Sequence, residues 1–482
     1  MNRFGTVVCA VIAVLVAVLV GSQLERAFDF VWAPVVALVV LEVVLLIFAM
    51  LWRPEASLPF LCDPVVLFVL IQAQFFVVGA LSLPFTHAFA ETPLAPTIVM
   101  LTVIGFIGML STFLVGYHMP FGVVIADALP SFESRRVRMS GKWVEVTLLI
   151  AAIAACFLYV VRQKGFAAML NRGYNAYTGT AIFIAPFQIL VMTTYLMAWR
   201  IFGARKKPRG YVALFIGVLA FEIAYFGFLL GTRKFLFYLF FGISAIFILR
   251  RGIRALPRFV LPSVMIALVC YLSVWGTVRG RPIATFFRDY ADPHYAQFNS
   301  LSSGYFESVA GPFGTACLTL SLFPKVEPFR YGQTMLVALL SPIPRAIWKG
   351  KPIGLGKELT WYLGSYYAAS YDPTAGLSIT PTLVGDFWAN LGAVGILLGG
   401  FGCGVVCRTV AAYAVKGMRN GLQLTSARVL IPAVFLAGLV EVRADLAAMI
   451  SFYMYTLLPM LVLLQFFNFD HEPDETELAQ TA

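Results

Sequence analysis

The chain is a succession of apolar runs, each about long enough to cross a bilayer, and little else can be built from such runs. A transmembrane helix needs about 20 apolar residues. Stretches of that kind lie near 5–22, 31–52, 64–84, 95–117, 143–161, 180–200, 211–230, 235–250, 259–276, 383–407, 427–442 and 446–467. Charged residues make up only 12% of the 482 and apolar ones 60%, where a soluble domain carries about 25% charged. The expected fold is therefore an all-α polytopic membrane protein of about 12 transmembrane helices. No polar block is long enough to fold apart from it, so 1–482 reads as a single membrane domain.

Charge sets the orientation. The formal balance of +11 does not point to nucleic acid, because the basic residues sit in short runs between spans, as the positive-inside rule requires. Arg135, Arg136, Arg138 and Lys142 form one such run, Arg205, Lys206, Lys207 and Arg209 a second, and Arg250, Arg251, Arg254 and Arg258 a third. These place both termini in the cytoplasm. The stretch 277–382, between spans nine and ten, holds nine Lys and Arg residues, but long loops translocate largely regardless of charge. It is expected outside as one large loop, and the acidic tail 469–482 is expected as a disordered cytoplasmic end. Arg3 before an apolar run resembles a signal peptide without a clear cleavage site, so this segment reads as a retained first helix. Cys317 is the one cysteine of the loop, which excludes a disulfide within it. No His/Cys spacing matches a zinc site.

Two features of the outer face stand out. Residues Arg162–Tyr177 mix cations with apolar side chains and fit either an interfacial helix or an amphipathic connector. Thr334–Leu340 is apolar but too short to span, as a re-entrant or interfacial segment would be.

Arginines recur at the outer ends of separate segments: Arg233 in the turn between spans seven and eight, Arg279 and Arg281 leaving span nine, Arg345 in the loop and Arg443 before span twelve. With Lys351, Trp348 and Tyr362 they offer cations for phosphate oxygens and flat faces for sugars. They are candidate ligands of a pyrophosphate leaving group, or else snorkelling anchors and ion-pair partners of residues such as Glu441 and Asp445. Candidates for taking a proton from a hydroxyl are Asp386, Glu307 and His294. Asp386 also fits a helix cap. Glu42 and Glu222 fall inside spans two and seven, where a carboxyl is costly and pairing or function is the default; they carry a transporter reading.

Four places carry a family resemblance. They are Gly231-Thr232-Arg233 at a span end, Pro344-Arg345 followed by Trp348 and Lys351-Pro352, Gly385-Asp386-Phe387 followed by Asn390-Leu391-Gly392, and Arg443 between the last two spans. Their order over 211–467 resembles the Wzy-type O-antigen polymerases, the oligosaccharide repeat-unit polymerases. Members of this type more often carry Glu where Asp386 stands. The resemblance implies a GT-C-like glycosyltransferase in the bacterial inner membrane, joining undecaprenyl-pyrophosphate-linked repeat units at the outer face. A hydroxyl of one unit attacks the reducing-end carbon of the growing chain, and undecaprenyl pyrophosphate leaves. No cofactor and no metal are expected, since Glu25 and Asp29 of the first outer loop give poor metal geometry. Membrane lipids, a chain-length regulator and a flippase are the implied partners. A lipid-linked oligosaccharide flippase and an O-antigen ligase are the alternatives.

Overall fold

The computed structural model describes residues 33–52, 58–82, 95–130, 141–172, 183–203, 209–230, 232–252, 301–340, 354–366, 380–419 and 425–467, with single positions 255, 270, 343, 348 and 469. The described residues are helical, with no strand among them. In chain order the helices are α1 (Ala33–Leu51), α2 (Pro64–Leu81), α3 (Pro96–His118), α4 (Phe121–Ala128), α5 (Gly141–Arg162), α6 (Phe166–Arg172), α7 (Ile184–Gly203), α8 (Arg209–Gly227) and α9 (Arg233–Arg251). There follow α10 (Leu301–Leu322), α11 (Gln333–Leu339), α12 (Leu355–Tyr366), α13 (Thr382–Arg419), α14 (Ser426–Gly438) and α15 (Leu446–Phe466). Among the described residues seven helices are long and apolar enough to cross a membrane: α2, α3, α5, α7, α8, α13 and α15. The protein is a polytopic membrane protein. The apolar runs near 5–22 and 259–276 lie outside the described residues, position 270 excepted.

Local sequence explains several helix starts. Asp63 precedes Pro64, a cap followed by the residue that needs no N–H there. Its carboxylate accepts from Val65 N at 3.2 Å and from the Tyr117 hydroxyl at 2.6 Å, which ties the start of α2 to the end of α3. Asp445 caps α15 in the same way, accepting from Ala448 N at 2.7 Å.

Among the described residues the most extensive helix pairing is that of α3 with α13. A methyl added at Gly400 would overlap the Met109 backbone, one at Gly404 the Phe113 carbonyl, and one at Gly116 the Phe401 carbonyl. Lipid tails are as apolar as the helices, so association in a membrane rests on such close backbone packing rather than on a hydrophobic driving force. Gly400 and Gly404 are four apart and therefore on one face of α13.

Within the stretch expected as one outer loop, the structure forms α10, α11 and α12. The half of α10 from Ala310 onward belongs to the bundle: Ala310, Phe313, Ala316 and Cys317 are fully buried, and Phe313 stacks on Phe106 of α3 at 5.8 Å. Gly311, Pro312 and Gly314 interrupt its apolar run, which hides the helix from a hydropathy reading. The expected interfacial stretch after Arg162 forms the short helix α6, entered through Lys164 and Gly165 at positive φ. At the other end of the chain, Phe469 is buried against Gly141, and its carbonyl accepts from Trp199 Nε1 at 3.0 Å. The rest of the expected tail, 470–482, lies outside the described residues.

Both buried glutamates lie inside the bundle, as their positions predict. Glu42 is 1% exposed and Glu222 is fully buried. Glu222 accepts from the Thr194 hydroxyl at 2.9 Å and stands at the entry to a π-helical turn, Ile223–Leu229. Such turns often mark functional positions.

Candidate functional site

The site is built on a break in α13. Leu391 (φ −140°, ψ 16°) and Gly392 (φ 61°, ψ −142°) leave the helical region. The Gly392 conformation is one that a side chain disfavours. The break is a reversal rather than a bend. Phe387 lays its ring on Gly399 and its carbonyl on Gly395, residues that a continuous helix would hold about 18 and 12 Å away. Thr382–Asn390 is thus a half-helix folded back against the long remainder of α13. The sequence reading of one span from 383 to 407 is corrected to that extent. Asn390-Leu391-Gly392 is where the signal lay, a glycine after asparagine inside an apolar run.

A reversal strips the last carbonyls of the half-helix of their i+4 partners. The strap 327–334 supplies replacements. Arg330 N donates to the Ala389 carbonyl at 2.8 Å and Tyr331 N to the Asn390 carbonyl at 3.1 Å. Gly332 N donates to Asn390 Oδ1 at 2.9 Å. Tyr331 and Gly332 both take positive φ, which turns successive N–H groups toward the same helix end.

Asp386 is at the centre, 1% exposed. Its Oδ1 accepts from the Thr334 hydroxyl at 2.5 Å and from Asn390 Nδ2 at 3.3 Å. Its Oδ2 accepts from Leu446 N at 2.9 Å, the first residue of α15. Asn390 also bonds Thr334 and the Asp386 carbonyl. One carboxylate therefore ties together the half-helix, the strap leading into α11 and the start of α15. The cap reading of this residue is met in altered form: its carboxylate bonds the first N–H of α15 and not of its own helix. The segment expected to be re-entrant is α11, packed against α15 and supplying Thr334.

The segments that meet here carry two further carboxylates and two cations. Asp445 lies next to Leu446; burial, and then the Asp386 carboxylate beside it, push its carboxyl up to about 7, while Lys234 pulls the other way. Glu441 is buried and accepts from the Tyr238 hydroxyl of α9. The 3-10 turn Leu439–Arg443 packs on the first turns of α9, and the Arg443 guanidinium lies over the Phe75 and Phe237 rings at 5.3 and 5.4 Å.

Above this centre, α12 packs Leu355 and Leu359 on Leu318, Leu322, Phe323 and Ala389. Its polar face is clamped by the strap. Arg330 Nη2 bonds Glu327 at 3.1 Å and also Glu358 of α12, and the Tyr362 hydroxyl donates to the other oxygen of Glu327. Burial raises Glu358 against the pull of Arg330, and burial with the Glu327 bond pushes Tyr362 up to about 12.

Of the predicted residues, Asp386, Arg443 and Tyr362 belong to this assembly, and Arg233 opens α9 beside it, although its side chain is outside the described set. Glu307 falls in α10 with its side chain likewise outside, and Trp348 is 38% exposed. His294, Arg279, Arg281, Arg345 and Lys351 lie outside the described residues. Sequence reasoning missed Arg330, Thr334 and Asn390 as site residues, and gave Asp445 only as an ion-pair partner. Asp445 was the most accessible of these, an Asp directly before an apolar helical run. No family profile, no curated protein and no solved structure matches this chain.

Proposed function

We propose that the protein is a membrane-embedded glycosyltransferase of the bacterial inner membrane, with about 12 spans in a GT-C-like arrangement. On this reading it polymerises undecaprenyl-pyrophosphate-linked oligosaccharide units at the outer face. The observation that carries the reading is the buried Asp386, fixed by three segments, with Asp445 beside it and Lys234 and Arg443 on the neighbouring turns. Such a site pairs an oriented carboxylate, suited to taking a proton from an attacking hydroxyl, with cations suited to a departing pyrophosphate. The proton passes from the hydroxyl to Asp386 as the glycosidic bond forms and the sugar–phosphate bond breaks.

The test supplies purified protein with one synthetic undecaprenyl-pyrophosphate repeat unit. A ladder of lengths is expected; unchanged starting material overturns the proposal, and transfer to a lipid A core alone makes the protein a ligase. Cysteine placed at Ser302 in a cysteine-free background should label from outside, and labelling from the cytoplasm alone overturns the orientation.

A second reading has its own observation. Glu222 is fully buried in α8 with Oε1 lacking a hydrogen-bond partner among the described residues, and α13 is discontinuous, as helices of secondary transporters are. Transbilayer movement of the same lipid in liposomes, without elongation, would establish it in place of the first.

A further inference from the structure

The strap 327–334 touches two things at once. At Glu327 and Arg330 it grips α12, through Glu358 and Tyr362. Four residues after Arg330, Thr334 donates its hydroxyl to Asp386. Between them the strap is short of slack: the Arg330, Tyr331 and Gly332 amides are all bonded to the end of the half-helix that carries Asp386. Gly392 lies against the Phe329 ring, so the reversal and the strap are also packed on one another.

Arg330 is the joint. Its Nη2 is shared between carboxylates from two segments, its guanidinium lies 5.6 Å over the Phe323 ring, and its Nε is buried with no hydrogen-bond partner among the described residues. Glu358 and Tyr362 are four apart, so α12 presents both contacts from one face. A displacement of α12 therefore pulls on Arg330 with a charge-assisted bond. The backbone of Arg330 passes that pull to Ala389, three residues from Asp386.

We propose that Arg330 is a positioning residue that couples the placement of α12 to the orientation of the Asp386 carboxylate, so that a lipid-linked saccharide seated against α12 sets the base. The ligand class and the role of Asp386 rest on the transferase reading above; the coupling itself does not.

Amide hydrogen exchange on the full-length protein in lipid nanodiscs tests the coupling without any turnover. The reporter is the Leu446 amide, which donates to Asp386 Oδ2. In Arg330→Gln its exchange should rise by about 2–30-fold, the span that mutations along a coupled network produce. Amides of α3 and the long part of α13 should stay at wild-type rates. Should Arg330→Gln fold poorly, Glu358→Gln and Tyr362→Phe each remove one contact and should give smaller rises. Faster exchange confined to α12 and the strap, with Leu446 unchanged, overturns the proposal whatever turnover does. Turnover on the synthetic lipid-linked unit is the second arm. Arg330→Gln should lower kcat with KM little changed, and Arg330→Lys should restore most of it. Faster exchange at Leu446 together with no ladder from the wild-type protein leaves the coupling standing and removes the transferase reading.

Discussion

Replacing Asp386 by Asn separates chemistry from architecture only when the structural cost is known in advance. Asn keeps a carbonyl oxygen for Thr334 and for the Asn390 amide. It turns an NH₂ toward the Leu446 N–H that Oδ2 now accepts at 2.9 Å. A hydrogen bond to a charged group is worth about 1.5–3 kcal/mol net, and an abandoned buried donor costs about 1–3 kcal/mol. The substitution also removes a buried charge, whose desolvation opposes folding. Together these give a loss of about 2–4 kcal/mol. Unfolding entropy scales with chain length, so a chain of 482 residues should lose about 2–4 °C in Tm. Thr334→Val is the matched control. It removes one donor to the same carboxylate, costs about 1–2 kcal/mol, and leaves the basic oxygen in place. If Asp386 is the base, Asp386→Asn should lose about 10²–10⁴-fold in turnover, while Thr334→Val keeps most of it. Tm and ladder formation measured on both purified variants decide the matter. Turnover falling in proportion to Tm in both would refute the catalytic role and leave Asp386 as a structural knot.

Asp445 predicts a pH dependence with a definite sign. Its carboxyl holds its proton up to about 7 in the fold but only to about 3.9 in an unfolded chain. The stability it contributes is therefore present below about pH 4 and is lost as pH rises through 7. Wild-type Tm should fall between about pH 4 and 7, and Asp445→Asn, an equally good cap, should flatten that fall; a parallel slope in the variant contradicts the assignment. Gly392→Ala should lower Tm and protein level, since a methyl there meets the Phe329 ring at 3.1 Å in a conformation costing a non-glycine residue about 1–3 kcal/mol. Wild-type Tm would show that the reversal relaxes easily. Arg443→Lys exchanges a flat guanidinium between Phe75 and Phe237 for a point charge. Polymer should be lost at normal protein level, and full-length polymer from this variant would make Arg443 an anchor.

Helices α2, α3, α5, α7, α8 and α15 were legible because each is an apolar run of membrane-crossing length, and both carboxylates expected inside spans are buried there. Asp386 and Arg443 were legible as polar residues at span ends, and the structure sets both at one end of the bundle. The reversal at Leu391–Gly392 was not. Both its arms are apolar, so hydropathy reads through it, and only the conformation of one glycine marks the turn. Arg330 was illegible for a different reason. An arginine in a long polar stretch gains meaning only from Glu358, which is 28 residues away, and from backbone carbonyls, which have no sequence signature.

The seam between α3 and α13 fixes which parts of the molecule can act as machinery. Backbone pressed on backbone at Gly116, Gly400 and Gly404 leaves no clearance for sliding, since any shift would drive one main chain into the other. These two helices behave as a post set in the bilayer. The folded-back half-helix leans on that post through Phe387, and a moving ligand must be accommodated by what hangs from it: the strap, α11 and α12. Engineering that enlarges the seam glycines would tilt the frame from which every distance in the site is measured, whereas changes in α12 would retune the site and leave its foundation in place.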